Sequence, residues 1–569
     1  MTTITLAQPM VFDGSPDVPN GDWLRALLGG PGHFTVESAT PDQVVLAVTD
    51  VGFTGYKISI SPVDHFILTP GAAQPFAGAI GEIVLLDRDG GTVSIVENLP
   101  TSATLGSLGD GSILAGFALE IDGSPGADTI IGVSGGDDLL GGAGNDLLQG
   151  GFDDGGDFLA GGPGADTLVG GAGDDDLQSG DGADFVDGGA GEDYVYLDET
   201  NAFVEAWLGQ PAPAGGLRLE GIELVFTNDA GSRLHGGPIS EVFLGGAGRD
   251  EFDGAAGDDV LAGFDGDDIL RAGVGDDVLS GGMGADLLDG GPGRDLADYS
   301  AASAGLVLDL RIAAPQQTAL GLDTLASIEG VIGSEYSDTL TGAGTDDILV
   351  GSIGEDLLDG QAGADTLTGD AGADRAFGGA GNDLIADTSG QNYLRGDDGD
   401  DEILGGTGFD DANGNMGNDT VATGAGDDWA VGGKDNDLLS GEAGGDVVWG
   451  NLGSDTCDGG DGNDQVRGGQ GDDSVAGGAG DDFVSGDRGN DTISGGSGAD
   501  LFHGSQDAGI DRVLDFTLAQ GDRVFLDPGT TYTLAQVGAD TVLDMGGGHQ
   551  MILVGVQMST LTGNWIFLG

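Results

Sequence analysis

Cationic side chains are scarce: 16 Lys and Arg stand against 98 Asp and Glu, a formal net charge of -82. A nucleic-acid partner needs a basic face for its phosphates, so that class is excluded. An anionic membrane surface is disfavoured unless a divalent cation bridges the two. Cysteine is nearly absent too. Cys457 stands alone, which forbids an internal disulfide, and a large chain that must be strengthened without one points to metal. No run approaches the roughly eighteen apolar residues of a membrane span. The start, "MTTITLAQPM", has neither the basic nor the apolar region of a secretory signal; by those signals alone the chain would be cytosolic. The five histidines, His33, His65, His235, His503 and His549, are scattered and never form HExxH. No phosphate-binding GxxxxGK[ST] loop occurs. "GVSGG" at 132–136 matches the GxSxG nucleophile pattern in letters only, because Ser134 lacks the strand-to-helix context that the motif needs.

Glycine is abundant instead, with 118 residues. High charge with high glycine ordinarily reads as disorder, yet 38% of the residues are hydrophobic and they are regularly placed. From Gly333 to His503 a frame of nine never slips, giving 171 residues or 19 units. Its sixth position is Asp338, Asp347, Asp356, Asp365, Asp374, Asp383, Asp401, Asp410, Asp419, Asp428, Asp437, Asp446, Asp455, Asp464, Asp473, Asp482, Asp491 and Asp500. The unit "DTSGQNYLR" has Asn392 there and is expected to be a weak or empty site. The eighth position is apolar, from Leu340, Leu349 and Leu358 to Ile493 and Phe502. Cys457 falls on this register, which favours a small core residue over a nucleophile.

Two shorter arrays share the frame. One spans 123–196, with Asp128, Asp137, Asp146, Asp157, Asp166, Asp175, Asp184 and Asp193 and a two-residue insertion near 150–160. The other spans 236–298, with Glu241, Asp250, Asp259, Asp268, Asp277, Asp286 and Asp295 at the sixth position. The arrays hold 8, 7 and 19 units, 34 altogether.

Each unit divides into a six-residue turn and a three-residue strand. Glycine permits positive φ in the turn and close approach of backbones. Side chains alternate along a strand, so one inward residue per unit suffices. Two units make a coil of 18 residues with a short strand in each of two facing parallel sheets, coils stacking about 4.8 Å apart. Stacking puts carboxylates 18 residues apart on one edge, Asp347 with Asp365 for example, with turn carbonyls between them. Oxygen donors at that density, without His or Cys, specify Ca²⁺ rather than a transition metal, and Mg²⁺ fits less well.

The units read GGxGxDxUx and resemble the repeats-in-toxin (RTX) family, over about two-thirds of the chain; the pattern is that of calcium-binding β-helix repeats. The resemblance implies an all-β protein, a right-handed parallel β-roll with calcium between successive turns on each edge, and it assigns the sixth-position aspartates above as metal ligands. If an array of n units holds n - 2 ions, about 28 Ca²⁺ ions would offset roughly 56 of the 82 negative charges.

Outside the arrays, residues 1–122 read as an N-terminal β-rich, sandwich-like domain. "HFTVESATPDQVVLAVTD" is expected to be a hairpin turning at Pro41–Asp42, "YKISIS" a strand, and "EIVLLDRDGGTVSIVENL" a hairpin turning at Asp89–Gly90–Gly91; Trp23–Leu28 reads as a helical turn. The interruptions at 197–235 and 299–332 resemble each other, Glu223 aligning with Glu329, and are expected to be hairpins that bulge from the roll. Residues 504–569 are richer in apolar residues, as a solenoid's end cap requires. "DFTLAQGDRVFL" also resembles the uncleaved type I secretion signal of RTX proteins, which moves the expected location to the outside of a Gram-negative bacterium.

No catalytic constellation stands out. The expected function is a secreted structural or surface element whose roll folds on calcium and serves as spacer, adhesin or surface-layer component. Its expected partners are calcium, the type I secretion machinery, and cell-surface polysaccharide or further copies of itself. A virion decoration or fibre protein is the alternative from another setting. An enzyme seated in the N-terminal region, on Asp64 and His65, is the third reading. Ice-binding arrays of this family carry flat rows of Thr and Asn, which this chain lacks.

Overall fold

The computed structural model describes residues 118–569, apart from 124–125, 133–134, 152–154, 198–202 and 214–215, and the backbone of six strands between 34 and 95. Trp23–Leu28, Asp64 and Ser134 lie outside the described residues. Two compact units are formed, Met1–Gly293 and Arg294–Gly569. Both are built from β-structure.

In the first unit, Phe34–Thr40 and Gln43–Val48 pair antiparallel, and Tyr56–Ile60 and His65–Pro70 extend them into a meander. Ile83–Leu86 pairs with Thr92–Ile95 as a second hairpin. His65–Pro70 also pairs in parallel with Ala118–Asp122, which pairs with Asp138–Leu140 of the first array. The meander thus runs on into a sheet of the solenoid.

The arrays themselves are coils with a strand in each of two parallel sheets. In the second unit Leu340 pairs with Leu358, Leu358 with Ala376 and Ala376 with Leu394. Leu349, Leu367, Ile385 and Ile403 do the same in the facing sheet. Every partner is 18 residues away, so nine-residue units alternate between sheets. All these eighth-position side chains are buried, Cys457 among them. Many strands are longer than three residues: Thr456–Asp461 and Ser474–Ala479 continue into the next unit, with Gly460 opposite Gly478 and Asp461 opposite Ala479. Just past such a strand, Leu357–Ala362, the turn demands glycine: a Cβ on Gly363, at φ +143, would collide with the Thr345 carbonyl.

The first interruption is not a hairpin. Val204–Leu208 and Leu217–Glu220 pair in parallel and lie within the sheet, Leu217–Glu220 against Phe185–Ala190 and Val204–Leu208 against Ser232–His235. Buried Ala206, Leu208, Leu217 and Leu219 give these strands an inward face as apolar as that of the coils, so they join the sheet instead of leaving it. The second interruption does contain a hairpin, Gln316–Gln317 with Leu322–Ala326, while its Val307–Asp309 joins the sheet beside Thr339–Thr341.

Past residue 503 the coil pattern persists. Ile510–Val513 stacks on Thr492–Ser497, and Arg523–Leu526 on Leu501–Gly504. His549–Leu553 and Ile566–Leu568 each add one more parallel strand. Thr533–Val537, Asp540–Gly546 and His549–Leu553 then form an antiparallel meander. Asp540–Gly546 thus pairs along the free edge of His549–Leu553, the last parallel strand of that sheet.

Candidate metal centre

The sixth-position aspartates form ladders along the coils. The backbone N–H of each donates to Oδ1 of the aspartate one coil later: Asp338 to Asp356 at 2.7 Å, Asp347 to Asp365 at 2.8 Å, Asp428 to Asp446 at 2.8 Å. The first unit repeats this with Asp128 to Asp146 at 2.7 Å and Asp250 to Asp268 at 2.7 Å. The insertion near 150–160 stretches two steps, Asp137 to Asp157 and Asp146 to Asp166, to 20 residues without breaking either. Of the thirty-two aspartates assigned from sequence, all but the half-buried Asp128 are buried.

That bond satisfies one oxygen. The other, Oδ2, is buried without a hydrogen-bond partner in Asp146, Asp166, Asp184, Asp259, Asp268, Asp356, Asp365, Asp401, Asp446 and Asp473, among others. Where the unit opens with glycine, as in all of these but that of Asp184, which opens with Ser179, Oδ2 aims at that glycine's α-carbon. A Cβ on Gly342 would overlap Oδ2 of Asp347 and the carbonyl of Gly360; one on Gly360 would overlap Asp365 and the Gly378 carbonyl. Glycine, carboxylate and a carbonyl from the next coil therefore enclose a small cradle, repeated along both edges.

An unpaired buried carboxylate is costly, and its pKa registers the cost. Burial first, and then the charges of ladder neighbours, push Asp365, Asp401, Asp410, Asp437, Asp446, Asp473 and Asp482 up to about 7. A bound cation would reverse that balance. The donors are all oxygens, and among the described residues no three His, Cys, Asp or Glu side chains converge. Each cradle combines carboxylate with backbone carbonyl. That set fits Ca²⁺ and suits neither zinc nor copper. Cys457 lies on the core register, its Sγ 3.7 Å from the Arg467 carbonyl, and burial pushes its thiol pKa far up.

Several ladder residues escaped the sequence reading. Glu223 accepts the N–H of Asp193 at 2.9 Å, and Glu329 that of Asp295 at 3.0 Å, so a glutamate resumes the ladder after each interruption. Both lie 18 residues before a sixth-position acid, Glu241 and Asp347, and that spacing was the available signal. Ser232 occupies another rung, its hydroxyl donating to Asp250 Oδ1 at 2.6 Å. Asp511 and Asp522 extend the ladders into the tail, accepting from Asp491 at 3.3 Å and Asp500 at 3.2 Å. Their spacings of 20 and 22 hid them from a nine-residue frame.

A solenoid whose paired edges present repeated oxygen cradles is a calcium-binding β-roll by architecture and donor chemistry. The model of the RTX calcium-binding nonapeptide repeat matches 122–201, 235–297 and 331–510 in overlapping copies, more than half of the chain. The chain belongs to the RTX calcium-binding repeat family, whose repeats bind Ca²⁺. Among solved structures it is similar to the extracellular lipase LipA from Serratia marcescens at 13% identity, over 60% of this chain and 40% of the lipase, with a TM-score of 0.13. A search of curated proteins found no match.

Proposed function

We propose that the chain is an extracellular structural element that stays unfolded until calcium fills its ladders, and that the sixth-position aspartates, with Glu223, Glu241 and Glu329, supply the carboxylates. The observation that carries this reading is the series of buried Oδ2 atoms that have no partner in the chain. Calcium supplies the positive charge that these oxygens lack. Without it, repulsion within a chain of net charge -82 and the entropy of 118 glycines oppose folding. Extracellular calcium is abundant enough for weak sites, and cytosolic calcium is not. Circular dichroism with calcium and with a chelator tests the proposal: the strand signal is expected to collapse on chelation, and an unchanged spectrum would sink it.

The attachment surface proposed is the outward face of the second unit's 15-stranded sheet. Trp429 and Trp449 are 51% and 39% exposed there, on adjacent strands. Phe409 stands edge-on to Trp429, and the Arg375 guanidinium lies over the ring of nearby Tyr393. Flat exposed rings suit the apolar faces of the sugars in a cell-surface polysaccharide. This favours an adhesin-like role over a bare spacer. Replacing both tryptophans by alanine is expected to release the protein from cells while its circular dichroism stays unchanged. Retention of the variant at wild-type levels overturns the assignment of this face.

A further inference from the structure

The unit 387–395 departs from the repeat twice: Asn392 replaces the sixth-position aspartate and Asp387 replaces the opening glycine. Asn392 keeps its place in the backbone ladder. Its Oδ1 accepts the N–H of Asp374 at 2.9 Å, and its own N–H donates to Asp410 Oδ1 at 3.1 Å. Its Nδ2 is buried without a partner where other units aim an anionic oxygen. One negative charge has gone from the edge.

Asp387 puts one back, one coil earlier. The side chain is only 7% exposed, and Asp374 only 1%. The Ser389 N–H donates to Asp387 Oδ1 at 2.9 Å, which fixes the rotamer and leaves Oδ2 without a hydrogen-bond donor. That oxygen points into the cradle at Gly369, where a Cβ would meet Asp387 Oδ2 and Asp374 Oδ2 together. Elsewhere this spot holds a backbone carbonyl, such as that of Gly378 beside Gly360. Two buried carboxylate oxygens thus face one pocket with no donor from the chain between them.

We propose that a calcium ion is held between Asp374 and Asp387, with Asp387 supplying from a new position the carboxylate that Asn392 lacks. The proposal rests on the calcium reading of the ladders. It reassigns this coil from a gap in the array to a filled site, and keeps the edge continuous across the altered unit.

Crystals of the full chain grown with calcium and soaked in terbium chloride test it by anomalous scattering. A peak bounded by Asp374 and Asp387 is expected, comparable in height to the one at Asp365. Asp387→Asn keeps the side chain's size and its oxygen for the Ser389 N–H while removing the charge, so the variant should keep its circular dichroism and its neighbouring peaks while losing most of this one. Peaks along the ladder with none here, the two carboxylates sharing a proton instead, overturn the proposal. So does a peak of undiminished height in Asp387→Asn. No peak at any rung would overturn the calcium reading itself, a result distinguishable from either.

Discussion

At the scale of the residue, opening glycine and sixth aspartate are a matched pair. The glycine leaves the space into which the carboxylate turns, so its missing side chain is as much a part of the cradle as the oxygen. Gly360→Ala is expected to push a methyl group into Asp365 Oδ2 and the Gly378 carbonyl. Overpacking of that kind costs about 1–3 kcal/mol, and equilibrium dialysis of the folded variant should show one ion fewer. The carboxylates also set a pH dependence. Asp365, Asp401 and Asp410 have pKa values raised from 3.8 to about 7 in the calcium-free fold. Between those limits the fold binds more protons than the unfolded chain, so stability falls as pH rises through the window. Chelated protein is therefore expected to gain strand signal by circular dichroism when acidified from pH 8 towards pH 4.5. Calcium, which needs the ionised form, should bind more weakly over the same descent. Both the sixth and the eighth positions were legible in the sequence because their period never varies in the long array. Asp387 was not, since its role depends on a cradle one coil away.

At the scale of the element, a coil is secured by its ladder bond and by one buried side chain in each sheet. Where an interruption comes, a glutamate restores the bond. Its longer side chain bridges from a backbone that re-enters after a 30-residue step from Asp193 to Glu223. Glu223→Ala is expected to leave the Asp193 amide without that acceptor. One hydrogen bond is worth about 1 kcal/mol, so hydrogen exchange at that amide should accelerate several-fold while the Asp428 amide keeps its rate. Equal protection in variant and wild type would count against the glutamate's role. Strand positions in the arrays could be read from the alternation of glycine and apolar residues. The first interruption could not, because it breaks the nine-residue frame that marks inward positions, and the burial of Ala206, Leu208, Leu217 and Leu219 shows only in the folded chain. The tail rungs at Asp511 and Asp522 were hidden for a different reason, a change of spacing within an unchanged coil.

At the scale of the molecule, the proposal makes net charge the condition for folding. If an array of n units holds n - 2 ions, about 28 divalent ions would offset roughly 56 of the 82 excess negative charges and leave a self-repelling chain with a tolerable residue of charge. The loss of strand signal on chelation should therefore come with a marked rise in hydrodynamic radius, because expansion and unfolding have one cause. The stacking also bears on how folding proceeds. Each coil finds its hydrogen-bonding partner 18 residues along the chain, as Asp347 finds Asp365, so a parallel sheet is assembled here from sequence-local contacts. Parallel sheets ordinarily fold slowly because their strands are far apart in sequence. This one can solidify coil upon coil, in order, as successive stretches of the chain reach calcium, with no need for the whole length to be present first.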